Sequence, residues 1–284
     1  KKSLFKFLFG FRSVLFRIFL KNLKKKDYVW SHSPLPFLFF KIFIKKNIFY
    51  LYSVHGPLIT EINYDRKSKI FPLLLNLIYG YVIKNSNKII FNSNYTLKKS
   101  LIESNFIHQY NLIVEEILLD ERDFLKKINK IKRSYNKKSY DNGNFFIIPR
   151  RLVKRTGVQQ FLTELIKKKS FKKFIFYISG EGELSDDIKL ICNRHKNLKF
   201  IGKVDQNLLS FLLFISKGII IPSVEAEGFC IVAKEAKILN KKIFHTNQGG
   251  LKECLAGYNK QIIFNINDFN LNMLNNYKYK KKII

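Results

Sequence analysis

Apolar runs of strand length alternate with segments of helical spacing along the first half of the chain. The runs are rich in β-branched and aromatic residues and stop at Pro, Gly or Asn, as strands do. They cover residues 27–36, 47–57, 88–94 and 111–117, and the helical segments between them cover residues 71–86 and 94–104. Because the runs are nearly continuous in apolar residues, they predict a parallel sheet that helices cover on both faces.

The same alternation starts again at residue 145 and continues to residue 266. Between the two halves, residues 119–144 are polar and charged, which favours a linker. The sequence therefore predicts an α/β protein with two Rossmann-like, doubly wound parallel-sheet domains. We expect the first domain over residues 1–118, the linker over residues 119–144, and the second domain with a basic tail over residues 145–284.

The first 26 residues combine a broad apolar face with non-apolar positions such as Lys6, Gly10, Ser13, Arg17 and Lys21. On a helix these non-apolar positions form one stripe. The charges argue against a membrane span, because each costs about 2.5–3.5 kcal/mol at the centre of a bilayer. Two interpretations stay open: the helix packs on a sheet, or it lies in the interface of an anionic membrane.

Composition adds a strong positive charge. The 284 residues carry a formal net charge of +31, and 46% of them are hydrophobic, which is enough for sizeable cores. An anionic partner would account for the charge, and so would a codon bias toward A and T, because the lysines are spread along the whole chain. No nucleic-acid-binding motif accompanies them, so no specific nucleic acid is predicted. Three cysteines without paired spacing predict a reducing compartment.

Candidate chemistry is concentrated in the segment IPSVEAEGFCIVAKEA at residues 221–236. A strand is predicted to end near Ser223 and a helix to begin near Phe229, with Glu227 just before the helix and Glu235 two turns inside it. On a helix the two carboxylates lie about 12 Å apart along the axis, too far to share a proton. The spacing suits two contacts to an extended ligand whose phosphate lies at the helix N-terminus, but two solvated glutamates would give the same pattern.

Several segments, in order, resemble motifs of the family 4 glycosyltransferases. Glu227 and Glu235 match its E-x7-E motif. The other matching segments are His32-Ser33-Pro34, His55-Gly56-Pro57, Asn92-Ser93-Asn94-Tyr95, Arg151-Leu152-Val153 with Gly157-Val158, Ser179-Gly180-Glu181-Gly182, Phe200-Ile201-Gly202, and Gly249-Gly250-Leu251 with Glu253. The resemblance extends from about residue 5 to about residue 275.

The resemblance implies a GT-B fold and transfer of a hexose or amino sugar, with retention, from a nucleotide-diphosphate sugar to a glycan or lipid-linked acceptor. It implies no metal and no cofactor beyond this donor substrate. Glu227 would contact the transferred sugar, helped by the backbone N–H groups of Gly228, Phe229 and Cys230. Glu235 would hold the ribose. It implies a cytoplasmic enzyme of surface polysaccharide or glycolipid synthesis, with the inner face of the membrane as an alternative position.

For the donor diphosphate, the resemblance assigns Arg151, since charge that develops on a leaving diphosphate needs cations when no metal is present. It places His32 on the acceptor side as a second catalytic residue. His55 is equally compatible with a structural role.

The chain also departs from the family pattern. Thr156 replaces a usual lysine, so Arg155 would have to supply the second phosphate contact, and Arg150 replaces a small residue. The resemblance also implies that the opening β-α-β portion of the first domain and the last helices of the family are missing, which would leave an edge or a face of the first sheet exposed. A fragment, a partner chain or a degenerate relative would each explain this. A non-catalytic relative that binds nucleotide-sugar or a membrane therefore stays open, as does an epimerase or phosphorylase.

Overall fold

The first sheet contains four parallel strands in chain order. The computed structural model of the chain describes residues 28–43, 48–65, 70–104, 112–116, 119–225 and 227–275. The strands are β1 (Tyr28–Ser31), β2 (Phe49–Val54), β3 (Lys88–Phe91) and β4 (Leu112–Val114), and the helices are α1 (Pro34–Phe43), α2 (Leu58–Asp65), α3 (Ile70–Asn85) and α4 (Asn94–Ser104). These strands and helices confirm the predicted pattern. Pro34, expected at the end of a strand, instead begins α1, because its fixed φ suits a first helical turn.

Helices cover only one face of this sheet within the described residues. Val29, Tyr50 and Phe91 point to the core that α1, α2 and α3 form on that face. On the other face, Tyr28 and Trp30 are 61% and 52% exposed. Helices of the described part of the chain therefore cover one of the two faces that were predicted to be covered.

The second sheet contains six parallel strands in the order β10-β9-β8-β5-β6-β7. They are β5 (Phe146–Pro149), β6 (Phe176–Ser179), β7 (Leu198–Gly202), β8 (Gly218–Ile221), β9 (Lys242–His245) and β10 (Gln261–Ile263). The helices are α6 (Val158–Ile166), α7 (Ser185–Asn193), α8 (Gln206–Ile215), α9 (Ile231–Ile238), α10 (Leu251–Cys254) and α11 (Asn272–Asn275). The chain moves outward from β5 to β7 and then returns to the other side of β5, which is a doubly wound topology.

The central strands of the second sheet are buried on both faces, as their continuous apolar sequences predict. Ile148 and Ile220 belong to the core on one face, and Ile147 and Ile219 belong to the core on the other. All residues of β5, β6 and β8 are buried. The central strands therefore form a rigid base for the loops at their carboxyl ends.

The segment predicted as a linker is folded. It contains α5 (Glu121–Ile131), whose first turn is capped by the carboxylate of Asp120 bonded to the backbone N–H of Asp123 at 2.9 Å. Phe124 and Ile128 are buried, and α5 packs against α8. This segment is therefore part of the packing around the second sheet, although its overall composition is polar.

The predicted amphipathic helix at residues 1–26 lies outside the described residues. Among the helices that the structure describes, none combines the length and the apolarity that crossing a membrane requires.

Candidate active site

A cavity of about 370 Å³ lies between the two sheets, at the carboxyl ends of their strands. On the second sheet it lies at the point where β5 and β8 pair and the chain departs in opposite directions, the usual position for ligands in open α/β sheets. The titratable side chains that line it are those of His32, Tyr52, His55, Glu61, Arg150, Arg151, Arg155 and Glu227. Of the predicted site residues, it brings together His32, Arg151, Arg155, Glu227, Gly228 and Phe229.

Glu227 forms a buried ion pair with Arg150. The guanidinium of Arg150 donates to Glu227 Oε2 and, at 3.0 Å, to Ser223 Oγ, while its other terminal nitrogen lies 3.2 Å from Cys230 Sγ. The side chains of Arg150 and Glu227 are only 10% and 8% exposed. Burial lowers the pKa of Arg150, but Glu227 and the thiol of Cys230 together raise it more, so the net pKa is raised and the arginine stays charged.

Arg150 is the residue whose role sequence reasoning missed. The sequence shows it only as a cation where a small residue is usual, next to Arg151. Its partner Glu227 lies 77 positions further along the chain. Only the pairing of β5 with β8 brings the two together.

Arg151 and Arg155 present two further cations to the cavity. The guanidinium of Arg151 is exposed and makes no hydrogen bond or ion pair with any residue that the structure describes. Arg155 is buried and pairs with Glu61 of the first domain at 3.1 Å. An anion that binds here can therefore reach Arg151 directly, whereas Arg155 already has a carboxylate partner.

The loop that carries these arginines is held by Thr156, the residue at the usual lysine position. The hydroxyl of Thr156 donates to the carbonyl oxygens of Arg151 and Val153, each at 2.7 Å. Gly157 follows with φ +67°, and a Cβ there would collide with the carbonyl oxygen of Pro222. Thr156 thus contributes loop geometry and no charge.

His32 and His55 form a pair on the wall of the first domain. His32 Nδ1 lies 2.9 Å from His55 Nε2, so one ring donates a hydrogen bond to the other. Desolvation and the proximity of His32 lower the pKa of His55. The contact holds both imidazoles at the wall of the cavity.

The segment after β8 differs from its prediction. Helix α9 begins at Ile231 with Cys230 as its N-cap residue, and residues 227–230 are not helical. The space that a side chain at Gly228 would need is filled by the backbone of the first domain. A Cβ there would lie 2.6 Å from the carbonyl oxygen of His55 and 2.7 Å from Gly56 Cα. The missing side chain therefore lets the first domain approach this loop.

Two predicted donor-site residues lie outside the cavity lining. Glu235 is 4% exposed, and its Oε1 accepts from Gln206 Nε2 at 2.8 Å, while Oε2 has no partner among the described residues. Burial raises the pKa of Glu235. Cys230 is 2% exposed, and burial and Glu227 raise the pKa of its thiol to about 12. The expected donor contacts of Glu235 and Cys230 stay predictions.

The G-G-x-x-E segment joins the two domains beside the cavity. The carboxylate of Glu253 accepts from the backbone N–H groups of Asn94 and Tyr95, each at 2.7 Å, at the N-terminus of α4. Ser93 Oγ donates to the carbonyl oxygen of Gly228 at 2.7 Å. A carboxylate at a helix N-terminus is favourable because the helix dipole is positive there. These contacts fix the position of the Glu227–Gly228 loop against the first domain.

The protein consists of two Rossmann-like parts with parallel sheets that face a shared cavity, which is the architecture of GT-B glycosyltransferases. Residues 127–271 match the family described as "Glycosyl transferases group 1", and the chain belongs to this family. No functionally curated protein matches the chain.

Solved structures share the fold at low sequence identity. The structure of Anabaena Alr3699/HepE in complex with UDP-glucose has a TM-score of 0.66 and 15% identity, over 88% of this chain and 68% of that one. A glycosyltransferase from Rickettsia africae ESF-5 has a TM-score of 0.62 and 21% identity, over 90% and 67%. TarM has a TM-score of 0.63 and 18% identity, over 94% of this chain and 51% of that one. The chain thus covers about half to two thirds of the length of these structures.

Proposed function

We propose that the protein transfers a hexose or amino sugar from a nucleotide-diphosphate sugar to a glycan or lipid-linked acceptor, with retention. The observation that carries this proposal is the cavity in which Glu227, Arg151 and the His32–His55 pair converge between the two domains. Structures of the same fold include one in complex with UDP-glucose, which supports a nucleotide-sugar as the donor.

In this reaction the bond between the anomeric carbon and the diphosphate oxygen breaks, and its electron pair stays on that oxygen. The acceptor hydroxyl forms a new bond to the anomeric carbon, and its proton passes to the leaving diphosphate. Arg151 would neutralise charge on the diphosphate as it leaves, and Glu227 would hold a hydroxyl of the transferred sugar. His32 would lie toward the acceptor. Because arginines supply the positive charge, the proposal requires no metal ion.

The test is release of nucleotide diphosphate from a panel of UDP-, GDP- and ADP-sugars, with and without EDTA, in the presence of glycan and lipid-linked acceptors. Glu227→Gln and Arg151→Ala should each lower turnover at least 100-fold, as the loss of a preorganised charge contact does in other active sites. Arg194→Ala is the matched control, because Arg194 is exposed at the end of α7 and does not line the cavity. Absence of turnover with every donor, or equal activity of all three variants, would refute the proposal.

The Arg150–Glu227 pair favours a second candidate function, a non-catalytic relative that binds the nucleotide-sugar. Glu227 is already engaged by Arg150, and Thr156 provides no cation. Thermal stabilisation by a nucleotide-sugar without any release of nucleotide diphosphate would support this candidate instead. Vesicle binding that depends on anionic lipid would support the related alternative, in which the protein binds a membrane surface.

A further inference from the structure

An ion pair crosses the cavity from one domain to the other. Arg155 Nη2 of the second domain lies 3.1 Å from Glu61 Oε2 of the first domain, and both residues line the cavity. The side chain of Arg155 is 9% exposed, whereas that of Glu61 is 25% exposed and is the more accessible partner. The carboxylate of Glu61 therefore occupies the position beside Arg155 that an anionic ligand would need.

Each partner of this ion pair is fixed within its own domain. The backbone N–H of Val224, just after β8, donates to the carbonyl oxygen of Arg155 at 2.9 Å. Glu61 lies in the first turn of α2, and this turn is held by Glu103, whose carboxylate accepts from the backbone N–H of Thr60 at 2.8 Å. The side chain of Glu61 is thus the part of the contact that can turn away without a shift of either backbone.

The charges of the cavity are nearly balanced by the protein itself. Within the described part of the chain, three arginines and two glutamates line it. Glu227 neutralises one of the arginines, Arg150. Glu61 neutralises Arg155, so Arg151 is the remaining cation without a carboxylate partner among the described residues. A ligand with two phosphate groups would have to place one of them beside a cation that Glu61 already neutralises.

We propose that Glu61 determines how strongly this site distinguishes a diphosphate from a single phosphate. A single phosphate binds at Arg151 and leaves the Glu61–Arg155 pair in place. A diphosphate reaches Arg155 only when the carboxylate of Glu61 turns away from the guanidinium, because two anions beside one cation repel each other. The diphosphate is that of the donor if the proposed transfer reaction is correct, and this assignment alone rests on the proposed function.

The alternative role of Glu61 is that of a clamp that holds the domains together and so supports ligand binding. A second ion pair between the domains offers a comparison: Lys234 Nζ lies 3.4 Å from Glu116 Oε2, and neither residue lines the cavity. Neutralising either glutamate removes one ion pair between the domains and one negative charge. Only Glu61 competes for a cation of the cavity, so the two substitutions separate competition from clamping and from net charge.

The test is calorimetric titration of inorganic pyrophosphate and of inorganic phosphate at constant pH and ionic strength, with circular dichroism to verify that each variant is folded. Glu61→Gln should tighten pyrophosphate binding by about tenfold, and it should raise the ratio of the affinities for pyrophosphate and phosphate by about threefold or more. Glu116→Gln, the matched control, should change both affinities by less than about twofold.

Two further variants identify the source of the gain. Arg155→Gln, added to Glu61→Gln, should abolish the gain, because the freed guanidinium supplies it. If Glu61→Gln does not fold, Glu61→Asp takes its place, since its shorter side chain withdraws the carboxylate from Arg155 and should give a smaller gain in the same direction. Absence of saturable pyrophosphate binding, no gain in the Glu61 variant, an equal gain in Glu116→Gln, or a gain that persists without Arg155 would overturn the proposal.

Turnover of nucleotide-sugars is measured separately on the unaltered protein. Absence of turnover would count against the proposed function and leave the pyrophosphate titrations unaffected. Turnover without a gain in Glu61→Gln would count against the proposed role of Glu61 only.

Discussion

The buried pair between Arg150 and Glu227 makes a quantitative prediction about stability. Arg150→Met and Glu227→Leu each remove one charge and keep most of the side-chain volume. Each single change leaves a charge buried without its counterion, because both side chains are about nine-tenths buried. We expect each single variant to lose about 3–5 kcal/mol of the free energy of unfolding.

The double variant should recover much of this loss. With both charges removed, Ser223 and Cys230 no longer face an unpaired ion, and replacement of a buried ion pair by apolar groups is often neutral. The double-mutant cycle should therefore give a coupling energy of about 3 kcal/mol or more between the two positions. Such a value would show that the pair matters mainly through mutual neutralisation.

The assay is urea denaturation at pH 7, followed by far-UV circular dichroism, with Arg194→Met as an exposed control. A loss of about 3–5 kcal/mol would lower the melting temperature by roughly 6–20 °C. If either single variant lost less than about 1 kcal/mol, or if the double variant lost the sum of both, the description of a mutually neutralised buried pair would be refuted.

Three further predictions concern other parts of the described structure. Glu253→Ala should lower the free energy of unfolding by about 1–3 kcal/mol, because two backbone N–H groups of α4 lose their acceptor. The rate of hydrogen exchange at the amides of Asn94 and Tyr95 should rise, and an unchanged rate there would contradict the role of Glu253 as a cap. The pKa of His55 is lowered in the fold, so the unfolded chain takes up the proton first, and the urea midpoint should fall as the pH drops below about 6.5. His55→Gln should weaken this dependence but not abolish it, because buried His245 also has a lowered pKa; an unchanged slope would count against His55. All three cysteines are buried and free, so a thiol reagent should label none of them in the native protein and all three after unfolding. Rapid labelling of the native protein would contradict their burial.

Local patterns were sufficient to predict the second domain. Its central strands β5 and β8 contain no polar side chain and lie between helical segments, so their burial on both faces follows from composition alone. The folded segment at 119–144 could have been predicted as well. Phe124, Ile128 and Ile131 recur at helical spacing behind Asp120 as an N-cap residue, but the average polarity of the segment hides this stripe.

Contacts between distant segments could not be predicted from local patterns. The His55–Gly56 loop of the first domain approaches Gly228 in the segment just before α9 begins at Ile231, a contact between residues more than 170 positions apart. The motifs indicated which residues surround the cavity, but no spacing rule pairs Arg150 with Glu227. That partner follows from the order of the strands in the sheet.

In the proposed reaction, the ion pair with Arg150 also limits what Glu227 can offer to the transferred sugar. Glu227 Oε2 accepts from both Arg150 and Ser223, and Oε1 has no hydrogen-bond partner among the described residues. Only one carboxylate oxygen therefore remains for a sugar hydroxyl, and the sugar should add little affinity beyond that of the diphosphate.

We therefore expect UDP and UDP-glucose, or GDP and GDP-mannose, to stabilise the protein by amounts that correspond to dissociation constants within about tenfold of each other. Arg150→Ser removes one of the two donors to Oε2, so it should widen this ratio in favour of the nucleotide-sugar. Comparing the two ligands within one variant cancels the loss of stability that the substitution itself causes. A ratio that stays the same in Arg150→Ser would show that Arg150 does not limit access of the sugar to Glu227.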